Sequence, residues 1–171
     1  MRLIPSVSIK DHLQGSLDAP IVLVEYGDYE CPYCADFYFT VKKLREKLGS
    51  KLAFVFRNFP LDMHPNAFHA AVAAEIMAKY DKFWPMHDML YENQNQLGDN
   101  YLLNYAEKLG VGDHEFKKDS ASDEFFDKVQ ADLDSGFKSG VNGTPSIYIN
   151  GKKYEDDDSF DSLLSYLKTL L

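Results

Sequence analysis

The sequence lacks the features that mark several large classes of protein. It has only two cysteines in 171 residues, too few for a small secreted domain held together by disulfides. It has no cluster of Lys and Arg, and no apolar run near the roughly 18 residues that a membrane-spanning helix needs. Acidic residues outnumber basic ones by 27 to 18, giving a net charge of −9. We therefore expect neither nucleic acid nor a membrane surface as a partner.

The N-terminal segment also carries little targeting information. Residues 1–6 include one positive charge but no apolar stretch and no small-residue cleavage site, so no secretory signal is visible. We expect a cytoplasmic protein, or a periplasmic one if a signal segment has been removed.

The composition and length indicate an ordinary globular protein. Hydrophobic residues make up 45% of the chain, charged residues 26% and aromatic residues 14%. Residues 1–171 show no repeat, linker or low-complexity tract, and we predict one domain.

Hydrophobic periodicity predicts a βαβ unit in the first third of the chain. The nearly continuous apolar run at residues 21–26 predicts a buried strand, and helical spacing follows from Pro32 to Leu48, with Gly49 as C-cap. Residues 52–57 predict a second strand. Two strands joined by a helix are expected to be parallel, with a right-handed crossover.

The rest of the chain predicts a helical block followed by a hairpin. Residues 62–139 show no strand pattern but four helical segments, including one for which Asp99 is the predicted cap and one for which Ser122 is. Residues 146–149, Asn150-Gly151 and residues 152–154 then predict a β-hairpin, and Ser159 precedes a last amphipathic helix. The predicted class is α/β, in the order βαβ, helices, ββα.

The two cysteines lie where the first strand meets the first helix. Cys31 occupies the predicted N-cap of that helix, where free backbone N–H groups and the helix dipole favour a thiolate. Lowering a thiol pKa from about 8.5 to about 7 raises the thiolate fraction at pH 7 from roughly 3% to 50%. Pro32 suits the first turn of this helix, because its missing N–H leaves no helical hydrogen bond unmade there. Cys34, one turn further in, is expected to be less accessible, so Cys31 exchanges first and Cys34 resolves the mixed disulfide.

Three other interpretations of the pair are weaker. A strand-to-helix turn is not a core position for a small hydrophobic residue, and a cytoplasmic protein seldom keeps an inert disulfide. A zinc site would need ligands such as His64, His69 or His87, but no second Cys-x-x-Cys exists. The strand–CxxC–helix context therefore favours redox chemistry, which requires no metal or organic prosthetic group.

Two further sites stand out, each with an ordinary alternative. Glu25 is the one charge in an apolar strand, and could either lie buried beneath the cysteines or be hydrated near the strand end. Thr144-Pro145 directly precedes the third strand, where a proline is also found in an ordinary turn.

These motifs together resemble the thioredoxin superfamily, and the helical block narrows the resemblance to DsbA-like thiol–disulfide oxidoreductases. The similarity covers about residues 18–171; residues 58–61 and 64–67 and Phe83-Trp84 also look like bacterial members. The resemblance implies that Glu25 is a buried acid assisting Cys34, and that Thr144-Pro145 is a cis-proline loop that pairs with a substrate peptide. Pro32 and Tyr33 would also face substrate. The resemblance also implies protein or peptide thiols and disulfides as partners. Glutathione or a thioredoxin-type reductant is a further candidate partner.

Two departures leave the direction of exchange open. Secreted oxidases of the family carry His where this chain has Tyr33, and Pro-Tyr is typical of glutaredoxins, which suggests a less oxidising pair. The first alternative function is therefore a glutathione-linked enzyme, either a glutaredoxin-like reductase or a relative of the kappa-class transferases and isomerases. The second is a non-enzymatic module that binds zinc or a partner.

Overall fold

A five-stranded mixed sheet forms the centre of the fold. The computed structural model describes residues 1–171. The strands are β1 (His12–Gln14), β2 (Ile21–Gly27), β3 (Leu52–Asn58), β4 (Ser146–Ile149) and β5 (Lys152–Tyr154). They lie in the order β1-β3-β2-β4-β5; β2 and β3 are parallel, and the other neighbours are antiparallel.

Seven α-helices surround the sheet, and five of them lie between β3 and β4. They are α1 (Pro32–Leu48), α2 (Ala67–Ala78), α3 (Phe83–Glu92), α4 (Asp99–Lys108), α5 (Asp113–Ser120), α6 (Asp123–Ser139) and α7 (Phe160–Lys168). This order confirms the predicted α/β class with an all-helical insertion between two halves. None of the seven has the length and apolar character needed to cross a bilayer.

One short helix, one short strand and one helix cap differ from the sequence-based prediction. Helix α5 contains one large apolar residue, Phe116, so its sequence shows no amphipathic stripe. Strand β1 has three residues and exists through its pairing with β3. Asp99 is the first residue of α4 rather than its cap, because Gly98 takes that position. Ser122 does cap α6, accepting a hydrogen bond from the Glu124 N–H at 3.4 Å.

The two faces of β2 belong to different parts of the core. Leu23 packs in the larger cluster, which includes both cysteines, whereas Val24 and Tyr26 pack in a smaller cluster on the opposite face. Since side chains alternate along a strand, Glu25 points to the same face as Leu23. The backbone register therefore directs Glu25 toward the cysteines.

A buried polar network holds the helical insertion against β3. The Asn58 side-chain amide donates to Glu75 of α2 at 2.6 Å and to Asp132 of α6 at 3.0 Å. His12 approaches Glu75 at 2.8 Å, and Lys128 donates to Asp132 at 2.6 Å. These bonds join β1, β3, α2 and α6 at the C-terminal end of β3.

Gly136 marks a close approach between α6 and the sheet, and it gives a test of the packing. A Cβ at this position would lie 2.5 Å from the Phe59 ring and 3.3 Å from Tyr26. Alanine gains about 1 kcal/mol in helix propensity, but crowding in a packed core costs about 1–3 kcal/mol. We therefore expect Gly136→Ala to lower the free energy of unfolding by up to about 2 kcal/mol in urea denaturation. The control is Gln130→Ala on the exposed side of α6, for which we expect a change below about 0.5 kcal/mol. Stabilisation by Gly136→Ala would contradict the described contact.

Candidate active site

The cysteine pair occupies the turn between β2 and the start of α1. Cys31 is the N-cap of α1, in an extended backbone conformation, and Pro32 is the first helical residue, as predicted. Both thiols are free. Cys34 is 0% exposed, on the apolar stripe of α1, and Cys31 is 4% exposed. Both cysteines are therefore buried, and Cys34 is the less exposed of the two, in the predicted direction.

Cys31 has a strongly acidic thiol. Its pKa is lowered to about 5, chiefly because the Cys34 thiol hydrogen-bonds to its sulfur; burial opposes the shift, and Thr144 and the N–H groups of Cys34 and Tyr33 add to it. The sulfur makes no N-cap hydrogen bond of ordinary geometry. The neighbouring thiol thus lowers the pKa of Cys31 more than either backbone N–H group of the first helical turn does.

Cys34 has the opposite character. Burial raises the pKa of its thiol well above the ordinary value, and the sulfur of Cys31 and the charge of Glu25 raise it further. The Asp28 N–H donates to the Cys34 sulfur at 3.5 Å. At neutral pH the site therefore holds a thiolate at Cys31 and a thiol at Cys34, which gives one nucleophile and one proton-carrying partner.

Glu25 lies buried beside this pair. It is 1% exposed, and burial is the main cause that raises its pKa, followed by the charges of Cys31 and Asp158. It is within hydrogen-bonding reach of Cys34, and its Oε1 atom has no other hydrogen-bond partner. Of the two positions considered from the sequence, the structure therefore has the buried one.

Gly27 leaves room for this carboxyl group, a feature that the sequence analysis missed. A Cβ at Gly27 would lie 2.9 Å from Glu25 Oε1 and 2.4 Å from the Phe56 ring. A side chain here would push the acid or the ring away from the turn. A glycine at the end of a strand that leads into a CxxC motif is the signal that could have indicated it.

Asp28 holds the turn together, although no local sequence pattern distinguishes it from other acidic residues. Its buried carboxylate accepts hydrogen bonds from the Glu30 N–H at 2.7 Å, the Leu61 N–H at 2.8 Å and His64 Nδ1 at 2.7 Å. Its carbonyl accepts from the Cys31 N–H at 3.2 Å. Asp28 thus fixes the loop after β3 to the cysteine turn.

Helix α3 and the loop after it form the back of the site. The Gln94 side-chain amide donates to the carbonyls of Tyr29 and Cys31, at 3.0 and 2.8 Å. Tyr29 also hydrogen-bonds to His87 at 3.1 Å, and burial lowers the pKa of His87 to about 3, which keeps this ring neutral. His87 and Tyr91 are buried, so this face of α3 packs against the core.

The loop before β4 lies against the attacking sulfur. The Thr144–Pro145 peptide bond is cis. The Cys31 thiol approaches the Thr144 carbonyl at 3.4 Å, and the buried Thr144 hydroxyl has no hydrogen-bond partner other than the Cys31 sulfur. A cavity of about 350 Å³ adjoins this loop and includes Asp156 and Asp158 in its lining. Pro32 is exposed, as is Tyr33 at 73%.

The histidines considered as zinc ligands are occupied elsewhere. His64 contacts Asp28, His69 contacts Asp99, and His87 contacts Tyr29. No group of three or more His, Cys, Asp or Glu side chains is arranged to hold a metal ion. A larger cavity of about 420 Å³ lies within the helical insertion, but its lining includes neither cysteine.

Comparison with known proteins places this site in a family. The family model described as Thioredoxin matches residues 7–169. The chain belongs to the thioredoxin family. Among solved structures, oxidised BdbD from Bacillus subtilis is 27% identical and superposes with a TM-score of 0.83, covering 95% of this chain and 94% of BdbD. Wolbachia pipientis α-DsbA1 has the same fold at 19% identity, with a TM-score of 0.84 and coverage of 96% and 92%. The predicted resemblance to DsbA-like thiol–disulfide oxidoreductases is confirmed.

Curated relatives of this thioredoxin-family chain are much longer proteins. The Na(+)/H(+) antiporter NhaA 3 of Salinispora tropica is 36% identical over 162 residues, which is 94% of this chain and 25% of the antiporter. The chain thus spans about a quarter of the length of the curated relatives that it matches.

The unequal sulfurs predict a specific change on removal of Cys34. Because the Cys34 thiol is the largest cause of the low Cys31 pKa, Cys34→Ala should raise that pKa from about 5 toward the ordinary value. The absorbance of the thiolate at about 240 nm, recorded against pH, measures the pKa of Cys31. The control is Cys31→Ala, whose remaining buried thiol should not ionise at neutral pH. A Cys31 pKa that stays near 5 in Cys34→Ala would show that the helix terminus is the main cause.

Proposed function

We propose that this chain is a thiol–disulfide oxidoreductase that exchanges its Cys31–Cys34 pair with protein or peptide substrates. The observation that carries the proposal is the opposite ionisation of two adjacent sulfurs, with the pKa of Cys31 lowered to about 5 and that of Cys34 raised. A structural disulfide needs no such asymmetry, whereas exchange requires an ionised attacking thiol.

The reductive direction proceeds in two displacements. The Cys31 thiolate attacks one sulfur of a substrate disulfide; a mixed disulfide forms, and the other substrate sulfur leaves as a thiolate. Cys34 then loses its proton to the Glu25 carboxylate and attacks the Cys31 sulfur. The mixed disulfide breaks, the second substrate sulfur leaves, and the Cys31–Cys34 disulfide remains. The substrate gains the two electrons that the pair loses, and the oxidative direction reverses these steps.

Glu25 is suited to this proton transfer by its burial. Its pKa is raised well above the ordinary value, mainly by desolvation, so it holds a proton more strongly than an exposed carboxyl group does. Its contact with Cys34 and its free Oε1 atom support a role for Glu25 as proton acceptor and donor.

We propose that the substrate backbone lies between the Thr144-Pro145 loop and the start of α1. The proximity of the Thr144 carbonyl to the Cys31 sulfur, 3.4 Å, supports this position, because an extended peptide paired with that loop would bring its own sulfur to Cys31. The exposed surfaces of Pro32 and Tyr33 form the other side.

Glutathione or a thioredoxin-type dithiol is the proposed electron source in the reductive direction. Tyr33 places no cation beside the thiolate, which suits a less oxidising pair, whereas the Cys31 pKa of about 5 stabilises the reduced form and favours a more oxidising one. A saturable glutathione-binding isotherm with the oxidised protein would favour the glutathione-linked form of the function; exchange with dithiols but no glutathione binding would favour a thioredoxin-type partner.

Trapping of the mixed disulfide tests the proposed roles of the sulfurs. Cys34→Ser should accumulate a covalent adduct with a disulfide-containing peptide, because its resolving sulfur is missing, whereas Cys31→Ser should form none. Mass spectrometry of the intact adduct measures both. An adduct at Cys34 in the Cys31→Ser variant, equal to that at Cys31, would contradict the assignment.

Glu25→Gln separates the proton-transfer step from the attack. Since this variant keeps the shape of the side chain but cannot accept a proton, we expect resolution of the mixed disulfide to slow about 10- to 100-fold at pH 7. The first attack by Cys31 should change far less. Stopped-flow measurement of the two phases tests this, and equal slowing of both would argue against Glu25 as the proton acceptor for Cys34.

A further inference from the structure

His64 is a titratable side chain beside the cysteine turn that the exchange steps above do not use. It lies in the loop between β3 and α2, and its Nδ1 atom is 2.7 Å from the Asp28 carboxylate. The histidine side chain is 17% exposed, whereas that of Asp28 is fully buried. The ring is thus held at the edge of the site by a carboxylate that cannot move.

Backbone hydrogen bonds of Asp28 tie this contact to the cysteine turn. The Asp28 N–H donates to the Cys34 sulfur at 3.5 Å, and its carbonyl accepts from the Cys31 N–H at 3.2 Å. The Leu61 N–H donates to the same carboxylate oxygen as His64 does, Oδ2, at 2.8 Å. The orientation of the imidazole is therefore fixed by the turn that carries the reactive pair.

The charged groups that act on the ring favour its protonated form. Burial is the largest single influence and lowers the pKa of His64, but the hydrogen bond that the ring donates to Asp28 and the charges of Asp28, Cys31 and Glu30 together raise it above the ordinary value. All three groups are acidic. Charge interactions are reciprocal. If the Cys31 thiolate stabilises the protonated ring of His64, the protonated ring stabilises the thiolate by the same amount.

We propose that His64 is a positioning residue for thiol–disulfide exchange: held by Asp28, its imidazolium stabilises the Cys31 thiolate of the reduced protein. The inference rests on the proposed function. When a dithiol substrate reduces the Cys31–Cys34 disulfide, the S–S bond breaks, Cys34 takes a proton and Cys31 keeps the negative charge. His64 then binds additional protons from solvent over the pH range between its pKa values in the oxidised and reduced proteins.

The sign of the pH dependence follows from the charge. Stabilisation of the thiolate is present below the pKa of His64, where the ring is cationic, and is lost as the pH rises through that pKa. A purely structural contribution of the ring would persist on both sides of it.

The primary test needs no substitution. The ¹H NMR titration of the His64 ring is followed in the oxidised and in the reduced protein. We expect its acid dissociation constant to be about three- to tenfold smaller in the reduced protein, because the thiolate is present only there. His69, which is exposed and paired with Asp99, is the internal control and should titrate alike in both states. Identical His64 titrations in the two states would overturn the inference.

The reciprocal test uses His64→Gln, with His69→Gln as the matched control. By reciprocity, His64→Gln should make the acid dissociation constant of Cys31 about three- to tenfold smaller, whereas His69→Gln should leave it unchanged. The rate of alkylation of reduced Cys31 against pH gives this constant. Equal Cys31 constants in wild type and His64→Gln would overturn the inference even where exchange itself is intact.

The outcome is separable from that of the proposed function. If the wild-type pair exchanges with peptide disulfides but His64 titrates identically in both states, the inference fails and the function stands. If the wild-type pair does not exchange, the function fails, and the NMR comparison still reports whether His64 and Cys31 interact.

Discussion

The interaction between the two sulfurs, which favours the charge on Cys31 and the proton on Cys34, is the one on which the rest of the site depends. It stabilises the attacking thiolate and, by the same contact, raises the pKa of the resolving thiol. A helix terminus alone would act on both sulfurs in the same sense, since both belong to its first turn. The neighbouring thiol is what separates their roles.

The fold maintains this separation by burying acids at defined distances from the pair. Glu25 is directed to the cysteine face by its register in β2, and Gly27 leaves the space its carboxyl group occupies. Asp28 is instead satisfied by N–H donors and His64, so it fixes the turn without competing for the proton of Cys34. Two carboxylates close in sequence thus have different functions because Asp28 is occupied by three donors, whereas Glu25 Oε1 is left without one.

The sequence sufficed for the parts of this account that depend on local chemistry. Helix α1 extends over the predicted residues 32–48 because an N-cap, an apolar stripe and a C-terminal glycine all lie within one segment. Helix α5 escaped prediction because a polar helix with one buried Phe116 shows no periodicity, and β1 because three residues form a strand only through pairing. The Asp28–His64 contact joins residues 36 apart, and no local pattern reports which histidine a buried carboxylate will meet.

The equilibrium between dithiol and disulfide, titrated with glutathione buffers and read by alkylation and mass spectrometry, tests the central claim most directly. We predict one reversible two-electron transition for Cys31 and Cys34 together, with the Cys31 sulfur carrying the mixed disulfide in the intermediate. A midpoint near about −270 mV would correspond to a reductase, and one near about −120 to −180 mV to an oxidase or isomerase. Independent oxidation of the two cysteines, or a disulfide that the buffers fail to reduce, would contradict the account.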